Sequence, residues 1–330
     1  MKAFICEKFG PPEVLHLKEV EKPVPKDNEV LIKVHATTAN AADCNVRGLS
    51  YIPTGLGFVA KMMLGFNKPK ISITGSVLAG EVEAAGKNVN SFKIGDQVYG
   101  TGSGLGAYAE YTCRPEKGAL ALKPKNISFE EAATVPYGAL TALYFLREVA
   151  HIQKGQKVLI NGASGGVGVN AVQLARYFGA EVTGVCSTRN IAFVKSLGAV
   201  KVIDYTKEDP AQKNDQWDII MDIVVGKTSF KRFKNSLAPH GYYLAVAGGL
   251  NDMLGMIRTS FSGGRKVKFG GGADCEKREF LDFISDLISK GELKPVMDKC
   301  FPFEQLVDAH RYVEEGHKQG NIAVSLKEKN

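Results

Sequence analysis

The segment Lys157-Val-Leu-Ile-Asn-Gly-Ala-Ser-Gly-Gly-Val-Gly168 constrains the fold more than any other part of the chain. An apolar run feeds a glycine turn, and a stretch with Val169, Val172, Gln173 and Arg176 at helical spacing leaves it. A strand that becomes a helix over glycines points backbone amides and a positive helix end at one place, where a pyrophosphate can bind. Gly165 lets the backbone turn tightly and approach that group, and Gly168 lets the helix pack close to the strand. Alanine, Ala163, holds the first glycine position of the motif. Strands at Glu181–Cys186 and Lys201–Tyr205 complete a βαβαβ unit over 157–205. The expected cofactor contacts in the turn are Ala163, Ser164, Gly165, Gly166, Val167 and Gly168.

Further strands are expected at Ile219–Val224, Tyr242–Ala247 and Lys266–Gly270, making a six-stranded, doubly wound parallel sheet of the Rossmann type. A helix follows, with Phe280, Phe283, Ile284, Leu287 and Ile288 on one face. Residues 1–125 read differently, as short strands punctuated by glycine and proline: Val30–Val34, Gly80–Ala84 and Ala107–Thr112 alternate. That is the pattern of a compact β-barrel domain. The apolar, Met-containing stretch 54–70 interrupts it, as a loop on the core or a wall over a substrate pocket. Beyond Gly291 a short helix at 304–315 and a strand at Ile322–Leu326 form a tail.

The end of the second strand bears on cofactor choice. NAD binders place an acid there to hold the ribose 2′-hydroxyl, whereas Val185-Cys-Ser-Thr-Arg-Asn190 has none. Ser187 can donate to a 2′-phosphate and Arg189 can pair with it, which favours NADPH.

Composition excludes several classes. The net charge of +7 is carried by scattered lysines without an aromatic stripe, which argues against nucleic-acid binding. No apolar run is long enough to span a membrane, and the first residues read as a strand rather than a secretion signal, so a cytoplasmic location is expected. The six cysteines lack metal-ligand spacing and are expected to be buried free thiols.

An ordered series of short motifs carries a resemblance. Thr38-Ala-Asn40-Ala-Ala-Asp43 with Arg47 and Tyr51 comes first. Gly75-x4-Gly80-Glu-Val-x3-Gly86, Phe92-Lys-Ile-Gly95-Asp96-x-Val98-Tyr99-Gly100 and Gly106-Ala-Tyr-Ala-Glu110 follow. Ala132-Ala-x-x-Pro136, Thr141, the turn at 162–168 and Val202-Ile-Asp-Tyr205 complete it. The chain resembles the medium-chain dehydrogenase/reductase superfamily, in its zinc-free quinone oxidoreductase branch. The resemblance implies a discontinuous GroES-like catalytic domain, residues 1–124 and 293–330, around an inserted Rossmann NADP-binding domain, residues 125–292. It also implies that Thr141, Ala247, Gly248, Phe269, Gly270 and Gly271 lie near the nicotinamide, that Tyr205 joins Ser187 and Arg189 at the 2′-phosphate, and that the protein is a homodimer.

Zinc members of the superfamily carry a cysteine, a His-Glu pair and a third ligand where this chain has Asn40, Ser76-Val77 and Tyr137. Amide and hydroxyl groups are poor zinc ligands. Without a metal, quinones and α,β-unsaturated carbonyls are the suitable acceptors, because hydride arrival gives a stabilised phenolate or enolate. Tyr51 is expected to donate to the acceptor oxygen and Asn40 to assist, while Arg47 is expected to pair with a carboxylate. A zinc-type alcohol dehydrogenase and a non-catalytic NADPH-binding protein are the alternative readings.

Overall fold

The computed structural model describes residues 1–49, 61–62, 64–102, 104–212, 216–224, 226, 228–261, 263–270 and 272–327. Contacts divide them into two units, one reaching Tyr137 and resuming at Glu276, the other running from Gly138 to Cys275.

The first unit begins with β1 (Lys2–Cys6) paired antiparallel to β2 (Leu15–Glu19). Next come β3 (Glu29–Ala39), the helix α1 (Ala41–Gly48), β4 (Val77–Ala85), β5 (Gln97–Thr101), β6 (Tyr111–Pro115) and β7 (Leu120–Leu122). β3 pairs with β4, β6 and β15, and most of its side chains, Lys33 excepted, are buried or half-buried. Val30, Ile32 and Val34 from it pack with Leu78, Val82, Val98 and Leu120. Ala109 forms only a bridge to Ala3, and regular pairing of the segment starts at Tyr111, later than the alternation from Ala107 predicts. A short helix, α2 (Phe129–Ala133), is fixed by a capping box between Ser128 and Glu131.

The second unit takes in most of α3 (Pro136–Leu143) and then alternates. Its elements are β8 (Lys157–Asn161), α4 (Gly168–Tyr177), β9 (Glu181–Cys186), α5 (Ile191–Ser196), β10 (Lys201–Asp204), β11 (Trp217–Asp222), β12 (Leu237–Ala245), α6 (Leu250–Ser260) and β13 (Lys266–Phe269). The strands form one parallel sheet in the order β10-β9-β8-β11-β12-β13. Their near-continuous apolar runs follow from burial on both faces: Leu159, Val185, Ile220, Tyr243 and Val267 share one cluster. The winding reverses between β8 and β11, and ligands of such sheets bind beyond the carboxyl ends at that point.

The chain then returns through α7 (Arg278–Ser289), β14 (Met297–Pro302), α8 (Leu306–Glu314) and β15 (Asn321–Ser325). β15 pairs antiparallel with β3, which puts the tail in the first unit. The unit boundaries fall at 137/138 and 275/276 rather than at 124/125 and 292/293. Side-chain contacts explain the difference. Phe129 of α2 stacks on His35 of β3 with ring centroids 4.5 Å apart, and Lys327 pairs with Glu130. From α7, Ser285 bonds the Tyr99 hydroxyl at 2.7 Å, and Arg278 lies over the Phe92 ring. Leu281 rather than Phe283 completes the buried stripe of α7.

All six cysteines are free, and Cys6, Cys44, Cys186 and Cys275 are buried. Cys300 is exposed, contrary to expectation, because β14 is the edge strand of its sheet. No helix among the described residues is long and apolar enough to cross a membrane.

Candidate active site

The glycine turn is built by close approach. A Cβ on Gly168 would stand 2.1 Å from the Gly162 carbonyl oxygen, so only glycine lets α4 start where it does. At Gly165 a Cβ would meet only the Gly162 oxygen at 3.5 Å, which leaves the approach to that backbone open. The Ala163 amide is spent inside the fold on the Val185 carbonyl, and Ala163 is fully buried. It therefore holds the turn against β9 instead of offering a donor. Ser164 accepts from Asn190 at 3.0 Å, which ties the turn to the segment after β9.

Gly138, absent from the sequence reading, supports the turn from below. A Cβ there would stand 2.4 Å from the Gly166 oxygen and 2.7 Å from the Asn170 amide nitrogen. Thr141 follows three residues later, on the same face of α3. Gly138→Ala is expected to destabilise the protein by about 1–3 kcal/mol through overpacking and to raise KM for the dinucleotide without changing KM for the acceptor. Urea unfolding with steady-state kinetics checks both, and an unchanged pair of values would refute the support role.

Other predicted residues gather at the carboxyl ends of the strands. Tyr205 follows β10, its amide bonded to the Cys186 oxygen at 3.1 Å, and its side chain is exposed. Ser187 and Arg189 lie in and beside a 3₁₀ turn at Thr188–Asn190. No acid follows β9 in the chain, but the fold brings one from the neighbouring strand: Asp204 sits opposite Cys186. Hydrogen bonds from Thr188 and Thr206 hold its carboxyl below the usual range. On the other side of the sheet Ala245 pairs with Phe269, and a Cβ on Gly248 would lie 2.9 Å from the Phe269 ring. Ala247 and Gly270 flank this contact in the chain. Gly271, Tyr51 and residues 54–60 and 63 of the apolar segment lie outside the described residues.

Asp222 occupies the switch point itself. It is buried at the end of β11 and accepts from the Asn161 amide at 2.9 Å and from the Tyr243 hydroxyl. Burial and this carboxylate push the Tyr243 hydroxyl far above its ordinary pKa. The cluster keeps the ends of β8, β11 and β12 in one arrangement, and a lone sequence shows no sign of it.

In the first unit a polar chain runs inward from Asn40. Asn40 caps α1, its side-chain oxygen accepting from the Asp43 amide at 3.0 Å. Its Nδ2 donates to Asp43 Oδ2 at 2.6 Å and to Ser76 Oγ at 3.2 Å. The Ser76 hydroxyl and amide both donate to Asp43 Oδ1, at 2.9 and 3.1 Å. Tyr108 donates to Asp43 Oδ2 at 3.1 Å, its oxygen lies 2.9 Å from His310 Nε2, and His310 Nδ1 lies 3.3 Å from Cys44 Sγ. One proton order fits this chain: Cys44 S–H to Nδ1, Nε2–H to Tyr108, and the single Tyr108 proton shared between Asp43 and the Thr38 carbonyl oxygen at 3.0 Å. Burial raises Asp43 to about 6 against the pull of these donors. Burial also lowers His310 to about 3 and pushes Cys44 up to about 12.

Residues 26–125 match the family model described as alcohol dehydrogenase GroES-like domain, and residues 197–324 match the one described as zinc-binding dehydrogenase. The chain is 34% identical to the chloroplast envelope quinone oxidoreductase homolog of Arabidopsis thaliana, over 93% of this chain and 92% of that one. The solved quinone oxidoreductase of Coxiella burnetii superposes with a TM-score of 0.87 at 33% identity, over 99% of each chain. That of Escherichia coli complexed with NADPH gives 0.83 at 26% identity, over 98% of this chain and 100% of that one. The chain belongs to the medium-chain dehydrogenase/reductase superfamily, in its quinone oxidoreductase branch.

The fold puts the side chains of Asn40 and Ser76, which the resemblance sets against zinc-ligand positions of the metal-bearing branch, in direct contact. Neither supplies a thiolate, imidazole or carboxylate. Among the described residues no group of three His, Cys, Asp or Glu side chains could hold a metal ion. Arg47, fully buried, donates to the Gly10 oxygen at 2.9 Å and pairs with Glu314, the structural role expected of it. Cys113 and Cys186 are both raised to about 11 by burial, so neither is an activated thiol.

Proposed function

We propose that this member of the family is an NADPH-dependent reductase that passes hydride to a quinone or α,β-unsaturated carbonyl without a metal ion. The observation that carries the reading is the Asn40–Ser76 pair on the Asp43 carboxylate: hydrogen-bonding groups stand at the metal-ligand positions. Bound NADPH would supply the hydride. The Tyr51 hydroxyl donates to the acceptor oxygen, where negative charge grows. Asn40 acts beside it, held in one rotamer by Asp43 and Ser76, so its amide dipole needs no reorganisation. Homodimerisation and a cytoplasmic location belong to the same reading. Turnover with a panel of quinones, enals and enoyl thioesters, followed by loss of NADPH, tests it; no acceptor in any class would refute it.

The cofactor end of the proposal rests on the open backbone at Gly165, the helix N-terminus of α4, and the pair Ser187 and Arg189. The Asp204 carboxylate is engaged by Thr188 and Thr206, so it anchors the turn carrying Arg189. A charge-assisted pair between Arg189 and the 2′-phosphate is worth about 1.5–3 kcal/mol. Arg189→Ala should therefore raise KM for NADPH roughly tenfold to a hundredfold and leave KM for NADH nearly unchanged. Equal effects on the two cofactors would rule out a 2′-phosphate contact.

A further inference from the structure

Tyr108, fully buried between β5 and β6, touches both sides of the cluster around Asp43. Its ring packs on Gly75, where a Cβ would stand 2.5 Å away, and the next residue is Ser76, which donates twice to Asp43 Oδ1. Backbone bonds tie the two segments together: the Tyr108 amide donates to the Thr74 oxygen at 3.1 Å and the Ala107 amide to the Gly75 oxygen at 3.0 Å. The Tyr108 hydroxyl faces the other side, toward Asp43 Oδ2 and the carbonyl oxygen of Thr38, two residues before Asn40. The Asn40 amide, the Ser76 amide and hydroxyl, and Tyr108 thus all aim donors at one buried carboxylate. An ionised carboxylate has about four lone-pair sites, so these donors leave none open. Without the Tyr108 hydroxyl, Oδ2 would hold a vacant site beside its 2.6 Å bond from Asn40, and the amide could turn toward it.

His310, on α8, decides whether Tyr108 can serve this way, because a phenol has one proton to give. If Nε2 carries the imidazole hydrogen, it donates to the Tyr108 oxygen at 2.9 Å and leaves the phenol proton to Asp43 and Thr38. If Nδ1 carries it, Nε2 must take the Tyr108 proton, and Asp43 loses a donor. Cys44 selects the first arrangement. Its thiol, pushed up to about 12 by burial, keeps its hydrogen, and Nδ1 at 3.3 Å is a nearer acceptor than the His310 carbonyl oxygen at 4.0 Å. We propose that Tyr108 is a positioning residue for hydride transfer: with its proton directed by His310, it locks Asp43 and, through Asp43, the Asn40 amide. The proposal rests on the reductase reading, which gives Asn40 its role.

Tyr108→Phe keeps the ring on Gly75 and removes the hydroxyl. It should lower kcat with NADPH and a quinone about tenfold to a hundredfold, the cost of a misplaced group at a reacting centre, and leave KM for NADPH within about twofold. The same change made in an Asn40→Ser background should cost less than about twofold, because the amide it positions is already gone. An unchanged kcat in Tyr108→Phe, or an equal loss in both backgrounds, would overturn the proposal. Nitrogen NMR of the wild-type imidazoles at neutral pH, with His310 assigned by its absence from His310→Gln, reads the tautomer without relying on the fold of Tyr108→Phe. Nε2–H is expected, and Nδ1–H would overturn the proposal. A wild type that reduces no acceptor, with His310 in the expected tautomer, would bring down the reductase reading and the catalytic role of Tyr108 with it, while the proton order stands.

Discussion

Between pH 7 and pH 4.5 the wild-type protein is expected to lose about 2–3 kcal/mol of stability relative to a His310→Gln variant. His310 is fully buried, and burial, with Arg47 nearby, lowers its pKa from 6.5 to about 3. A depressed histidine contributes stability that is complete above the unfolded value of 6.5 and is lost as pH falls toward the folded value of about 3. In the unfolded chain the imidazole takes up a proton across this window, and in the folded chain it does not. Asp43 works in the opposite sense. Its folded pKa of about 6 lies above the ordinary 3.8, so its contribution is complete below 3.8 and is lost as pH rises through about 6. Urea unfolding of the wild type, His310→Gln and Asp43→Asn at both pH values separates the two. A wild-type-minus-His310→Gln difference that does not change with pH would show that His310 is not held neutral in the fold.

The second large effect is kinetic. Tyr51→Phe should reduce kcat with NADPH and a quinone roughly a hundredfold to a thousandfold, the usual cost of removing one donor aimed at developing negative charge. Asn40→Ala should lower kcat as well and also cost about 1 kcal/mol of stability, because Asn40 is the N-cap of α1. Asn40→Ser separates these roles: it keeps a capping oxygen for α1 but loses the amide donor to Asp43 and Ser76, so stability should survive better than turnover. If Tyr51→Phe and Asn40→Ala both leave kcat/KM unchanged, the acceptor lies against other residues.

The parts of the architecture that were legible in the sequence are those governed by local period and by glycine. The strand–turn–helix at 157–177 follows from an apolar run and from a helix that can begin only at Gly168. The unit boundaries were not legible, since helical spacing at 129–133 and 278–289 says nothing about which sheet each helix covers. Contacts such as Phe129 on His35 and Ser285 on Tyr99 decide that. Asn40 could be read from its place in a motif, whereas its network could not. Tyr108 meets Asp43 across 65 residues and His310 across 202. Asp204 shows the same limit in a smaller space. Scanning the end of β9 for an acid misses one that arrives from the adjacent parallel strand, opposite Cys186. Gly138 left no local mark either, because what it must not touch is a backbone oxygen in a later turn.

The central claim is that hydrogen-bonding groups at Asn40 and Ser76, together with Tyr51, do the work that zinc does elsewhere in the superfamily. The most direct measurement is the rate of NADPH oxidation with a quinone before and after exhaustive dialysis against a zinc chelator, with metal content determined on the same samples. The account predicts equal rates and no stoichiometric zinc in either sample. A rate that collapses on dialysis and returns when zinc is added back would contradict it.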